Sequence, residues 1–191
     1  NEVRVRHRSV CLRTGLPIQL VVLPNSRPGW VNVDIKPYPG LDVVLDGRRG
    51  LPFDEADFVV ADHFLEHFSL EEATTLLREC RRVLQSDGVL RLSTPNLDWV
   101  WLTSYSSRWK EESATKARID AQAWRHDDAA AFDCLTINRA FRARGHKFLW
   151  NAGMMEEVAL GAGFAGVKWC GYGDSEHARG AGLGGHETGE E

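Results

Sequence analysis

Two histidines and a glutamate fall within five residues, His63-Phe64-Leu65-Glu66-His67, and these residue types support two different chemistries. A histidine titrates near neutrality and can act as general base for a proton within its reach. Two histidines four residues apart on one helical face can instead hold zinc, with the glutamate activating a bound water. That geometry requires the five residues to be helical. Here a buried strand ends just before them and a capped helix begins at Ser69, so His63 is expected in a strand-end turn. No motif marks a third zinc ligand, and no metal is expected. Asp34 and Asp46 each close a short apolar run.

The elements that must position these groups are organised around the stretch from Phe53 to Pro95. Phe58-Val59-Val60-Ala61 is a continuous apolar run of the kind found in a parallel sheet covered on both faces, and it stops at Asp62-His63. Ser69 is an N-cap, with Glu72 three residues on completing a capping box. Leu70, Ala73, Leu76, Leu77, Cys80 and Leu84 then form one apolar helical stripe, while Glu71, Arg78, Arg81 and Arg82 are expected to face water. Asp87-Gly88 is read as the end of the helix, and Val89 to Leu92 as the returning strand. Such a crossover is right-handed, and ligands of such sheets bind beyond the carboxyl ends of the strands. Asp62, His63, Thr94, Pro95 and Asn96 are therefore expected to rim a site.

Three short strands are expected before this unit, at Ile18–Leu23, Val31–Ile35 and Leu41–Leu45. Residues 1–15 fit either a frayed arm or an edge strand. The charged stretch from Ser104 to Ala131 reads as a helical insertion, either a cover for a substrate or a solvated hairpin. Beyond Gly145 the pattern predicts a helix over Ala152–Leu160, a strand over Phe164–Tyr172 and a loose, glycine-rich tail from Gly173.

The 191 residues suit one domain with a sizeable core, and a net charge of −4 gives no electrostatic argument for nucleic acid or an anionic membrane surface, so neither is expected as partner. No segment approaches the roughly 20 apolar residues that span a bilayer. Cys11, Cys80, Cys134 and Cys170 are scattered without a C-x-x-C pair, which fits a reducing, cytoplasmic location. Cys80 is expected to be a buried apolar residue. A start at Asn1 is compatible with a fragment or a processed product.

Four motifs occur in order: Gly29-Trp30-Val31-Asn32-Val33-Asp34, Leu51-Pro52-Phe53, His63-Phe64-Leu65-Glu66-His67, and Leu77-Arg78-Glu79 through Arg91. From about Leu20 to Leu97, and again near Gly145, the chain resembles the class I S-adenosylmethionine-dependent methyltransferases, in particular a small group carrying these motifs. The resemblance implies an α/β fold with a Rossmann-like, doubly wound, mostly parallel sheet and helices on both faces. It also implies S-adenosylmethionine as cofactor, Asp34 accepting from both ribose hydroxyls, and Asp46 accepting from the adenine amino group. The Gly47 N–H would meet a ring nitrogen, and His63 would face the cofactor pocket. His63, and secondarily His146, would serve as base for an acceptor that must lose a proton. The chain departs from the family at the first strand, where Val21 and Leu23 stand at the two glycine positions of an L-G-x-G-x-x motif. Those glycines let backbone approach the methionine part of the cofactor. Three functional readings follow: a methyltransferase acting on an unidentified acceptor, taken as a small molecule; a methyltransferase-derived binding or scaffold protein that has lost cofactor use; and a zinc peptidase built on His63, Glu66 and His67.

Overall fold

Among the described residues seven strands form: β1 Leu12–Arg13, β2 Ile18–Leu20, β3 Val31–Asp34, β4 Val43–Val44, β5 Phe53–Asp54, β6 Ala56–Asp62 and β7 Leu84–Ser93. The structure, a computed structural model, describes residues 12–13, 16–20, 26–98, 100–101, 133–142, 145–170, 174–175 and 177–180. Val21, Leu23 and the Ser104–Ala131 insertion lie outside the described residues. Five strands make one sheet in the order β4-β3-β2-β6-β7, and every pairing in it is parallel. The chain runs outward from β2 through β3 to β4, then returns to pair β6 on the other side of β2. This is the Rossmann-like α/β arrangement expected from the sequence, and its strand order reverses at β2 and β6. β1 pairs β5 in a separate two-stranded parallel ladder, so the end of the 1–15 arm is an edge strand.

The apolar run of β6 is buried on both faces, as its continuity requires. On one face Val59 and Ala61 join Ile18 and Leu20 of β2 in the main core, against Ala73, Leu76, Leu77 and Cys80 of helix α1 (Leu70–Val83). On the other face Phe58 and Val60 pack with Trp30 and Val89, and the Trp30 ring meets Phe58 edge-on at 5.8 Å. Cys80 is the buried apolar residue its stripe position implies, and burial pushes its thiol pKa up to about 12.

Helix α1 starts as the sequence predicts. The Ser69 hydroxyl accepts from the Glu72 N–H, and the Glu72 carboxylate accepts from the Ser69 N–H. It stops at Val83 instead of Asp87-Gly88, because Leu84 is already extended and pairs with Ala56. Just beyond the helix end, Arg81 donates to the Leu84 and Gln85 carbonyls at 3.3 and 3.1 Å. A Cβ at Gly88 would lie 2.9 Å from the Leu84 side chain and 3.1 Å from the Ala56 carbonyl, so the glycine permits this tight bulge at the start of β7.

Helix α2 (Asp133–Arg142) was not expected as a separate element, whereas α3 (Ala152–Gly161) was, with Asn151 capping the Met154 N–H at 3.0 Å. The strand expected over Phe164–Tyr172 does not form in its described part: residues 164–170 pair with no strand. The alternation a half-buried strand needs is missing there, since Val167 is half-buried while Trp169 is exposed. Within the stretch expected to be loose, residues 177–180 dock on β6: His177 stacks on Phe58 at 4.7 Å, and Arg179 pairs with Asp57 at 3.0 Å. Among the described residues no helix is long and apolar enough to cross a membrane.

Candidate functional site at the carboxyl edge of the sheet

Asp34 is the last residue of β3, and its side chain is 7% exposed. Among the described residues its carboxylate accepts one hydrogen bond, from the Lys36 N–H at 3.1 Å. Burial raises the Tyr38 pKa, and the charges of Asp34 and Asp42 raise it further. The G-W-x-N-x-D turn that leads into β3 is braced by Asn32, a buried amide whose role the sequence did not show. Its Oδ1 accepts from the Arg27 N–H at 2.8 Å, and its Nδ2 donates to the Arg27 and Trp30 carbonyls and to Asp42. Gly29 turns the chain at a φ of +78°, where a side chain would be strained.

Asp46 follows β4 and caps a single 3-10 turn, Gly47–Arg49. Its carboxylate is held by a fork from Arg48, Nε to Oδ1 at 2.8 Å and Nη2 to Oδ2 at 2.7 Å, and also accepts the Arg48 N–H at 3.1 Å. The Arg48 side-chain hydrogen bond, opposed in part by burial, holds the Asp46 pKa below its ordinary value. Gly47 beside it is buried. Arg48 reaches on to Glu72 at 3.5 Å, and Glu72 to Lys147 at 2.9 Å. This chain of charges ties the turn after β4 to the start of α1 and to the segment after His146.

Beyond β6, His63 occupies the predicted strand-end turn with a φ of +47°, rare for a residue with a side chain and often found at functional positions. Its N–H donates to the Ser93 carbonyl at 3.1 Å, while the Ser93 hydroxyl donates to Asp62, which locks the ends of β6 and β7 together. His63 Nδ1 lies 3.0 Å from Glu66 Oε1, and Glu66 is fully buried. Residues 65–67 form one 3-10 turn, so His63 and His67 do not share an α-helical face and the zinc-peptidase arrangement is not formed. His67 instead meets His146, with ring centroids 5.1 Å apart. Burial lowers the His67 pKa, the Glu66 charge opposes that shift, and His146 adds to it. Thr94, one residue past β7, has a buried hydroxyl with no hydrogen-bond partner among the described residues.

The strand order therefore gathers Asp34, Asp46, Gly47 and His63 along one edge, as the ends of β4, β3 and β6 flank the end of β2. His146 belongs to a cluster with Glu66 and His67. Two arginines expected to face water do structural work. Arg82 donates to the Leu51 and Phe53 carbonyls and pairs with Glu79, whose carboxylate accepts the Leu51 N–H, so together they clamp the L-P-F turn. Such contacts depend on tertiary proximity, and the helix-face pattern cannot show them.

A buried acid at the end of the second strand of a parallel sheet, next to the point where strand order reverses, suits a ligand that presents hydroxyl donors. No curated protein matches the chain. Residues 31–92, which run from β3 through the crossover to β7, match the family model described as a methyltransferase domain.

Proposed function

We propose that this domain transfers a methyl group from S-adenosylmethionine to a small-molecule acceptor, in the cytoplasm. The observation that carries the reading is the Asp34 carboxylate, buried at the end of β3 with a single neutral donor among the described residues. A buried carboxylate with acceptor capacity left over is suited to a vicinal diol, which offers two hydroxyl donors. Asp46 would accept from the adenine amino group beside its Arg48 fork, and the Gly47 N–H would donate to the ring. The cofactor, when bound, supplies a methyl group already activated by its sulfonium. The protein's task is then mainly alignment.

His63 would take the proton when the acceptor is a hydroxyl. With Nδ1 donating to the buried Glu66, Nε2 is its basic nitrogen, and Glu66 fixes the direction in which the ring points. His146 is less suited to this role, because its Nδ1 is engaged with the Ala140 carbonyl at 2.8 Å and its ring faces His67.

Calorimetric titration with S-adenosylmethionine and with its demethylated product tests the reading. Binding of about one equivalent is expected, with retention of both ligands despite Val21 and Leu23. A folded protein that binds neither would favour a scaffold that has lost cofactor use. If restoring glycine at positions 21 and 23 then brought binding back, the site would be a decayed one.

A further inference from the structure

Glu66 presents an unresolved polar group in the interior. It is fully buried, its Oε1 is engaged by His63, and its Oε2 is buried with no hydrogen-bond partner among the described residues. A carboxylate oxygen in that position carries a desolvation cost that is normally offset by a donor or a cation. Two imidazoles stand beside it. One ligand atom from each of Glu66, His67 and His146 lies within 4.8 Å of the other two. The segment carrying His146 is sewn to the turn carrying Glu66, because the Lys147 and Phe148 N–H groups both donate to the Glu66 carbonyl, at 2.8 and 3.2 Å. The His146 ring is also held from behind: with Nδ1 donating to the Ala140 carbonyl, Nε2 carries the lone pair. This backing by a carbonyl is the usual arrangement of a metal-bound histidine.

We infer that Glu66, His67 and His146 form a binding site for a divalent transition-metal ion, with Zn2+ the ion their chemistry fits best. Two neutral imidazoles and one carboxylate are a common zinc donor set, and they leave a fourth position for water. At zinc–ligand distances of about 2.0–2.2 Å, tetrahedral donors stand roughly 3.3–3.5 Å apart, so the three side chains would close inward by about an ångström. His63 is not a ligand in this site. It is the outer partner of the Glu66 carboxylate at Oε1, and Oε2, buried without a hydrogen-bond partner among the described residues, is the oxygen left for the ion. The site differs from the zinc-peptidase pattern, in which His63 and His67 would both be ligands, and it does not depend on methyl transfer. Its effect would be to pin the strand-end turn that carries His63 to the chain after Gly145, although some 80 residues separate the two in sequence.

Untagged full-length protein, stripped with a chelator and dialysed, tests the inference by titration with Co2+ followed by displacement with Zn2+. One equivalent of Co2+ giving the intense visible bands of a four- or five-coordinate nitrogen–oxygen site is expected, and Zn2+ should abolish those bands. His146→Ala and Glu66→Gln should each lose the spectrum. His63→Ala should keep it, with affinity lowered by about 10–100-fold as for other outer partners of a ligand. Absence of a stoichiometric Co2+ spectrum in wild-type protein that is folded by circular dichroism would overturn the site. A spectrum unchanged by His146→Ala, or one lost in His177→Ala, would overturn the ligand assignment.

Discussion

Asp34 and Asp46 end neighbouring strands of one sheet, yet their carboxylates are prepared in opposite ways. At the end of β3 the acid is buried and, among the described residues, receives one backbone N–H. At the end of β4 the acid is more exposed and already gripped by an arginine fork, with a second arginine 3.9 Å away. An incoming neutral donor therefore finds most of the acceptor capacity of Asp34 available, whereas at Asp46 it joins partners that carry full charge. Recognition energy should concentrate at Asp34. Asp46 should act chiefly by shaping the turn that presents the Gly47 N–H.

Asp34→Ala is the change expected to do most damage. Two hydrogen bonds from ribose hydroxyls to a carboxylate are worth about 1.5–3 kcal/mol each, so affinity for S-adenosylmethionine should fall by roughly 100-fold or more. Calorimetry measures it, and Asp34→Asn should fall between the two. Asp46→Ala should cost less, about tenfold in affinity, which corresponds to about 1.4 kcal/mol. It should also lower stability by about 0.5–2 kcal/mol through the lost cap on the Gly47–Arg49 turn. Equal losses of affinity at the two positions would break the contrast between the strand ends.

The contrast itself was only half legible in the sequence. Both acids stand out because each closes a short β-branched run, and the Ser69–Glu72 capping box and the apolar run of β6 were readable because their signals are local. That Arg48 turns back onto Asp46, that Asn32 and Asp42 brace the first turn, and that Arg82 holds the L-P-F carbonyls are matters of side-chain reach in three dimensions. The end of α1 was misplaced for a similar reason. Asp87-Gly88 is a sound local stop signal, but pairing of Leu84 with Ala56 ends the helix earlier. His146 could not be placed near Glu66 and His67 by any periodicity, because only chain closure brings them together.

Glu72 extends the comparison away from the ligand, since it holds the far side of Arg48. The Ser69 N–H lowers its pKa most and Lys147 adds to this, bringing it to about 2. A carboxyl whose pKa is depressed on folding contributes stability above its unfolded pKa and loses it as the pH falls through the folded value. The contribution should be complete above about pH 4.5 and fade toward pH 2. The side chain is partly exposed, so screening reduces it. Glu72→Gln should lower the melting temperature by a few degrees at pH 7, and the gap to wild type should close as the pH is taken down through that window. A gap independent of pH would assign the effect to the cap geometry alone.

Arg48→Ala is expected to have the smallest effect, and it sharpens the comparison most. Removing the fork leaves Asp46 with one backbone donor and Arg49 nearby, which makes the end of β4 resemble the end of β3. The ion pair lies at the surface, so its loss should change stability little. Asp46 would then give its charge more fully to an adenine amino group. Affinity for S-adenosylmethionine should hold or rise by up to about threefold, and the rise should be absent when Asp46 is alanine in the same chain. An affinity that instead falls tenfold, with folding intact, would mean that Arg48 contributes to the pocket and that Asp46 is positioned for the ligand only through its fork.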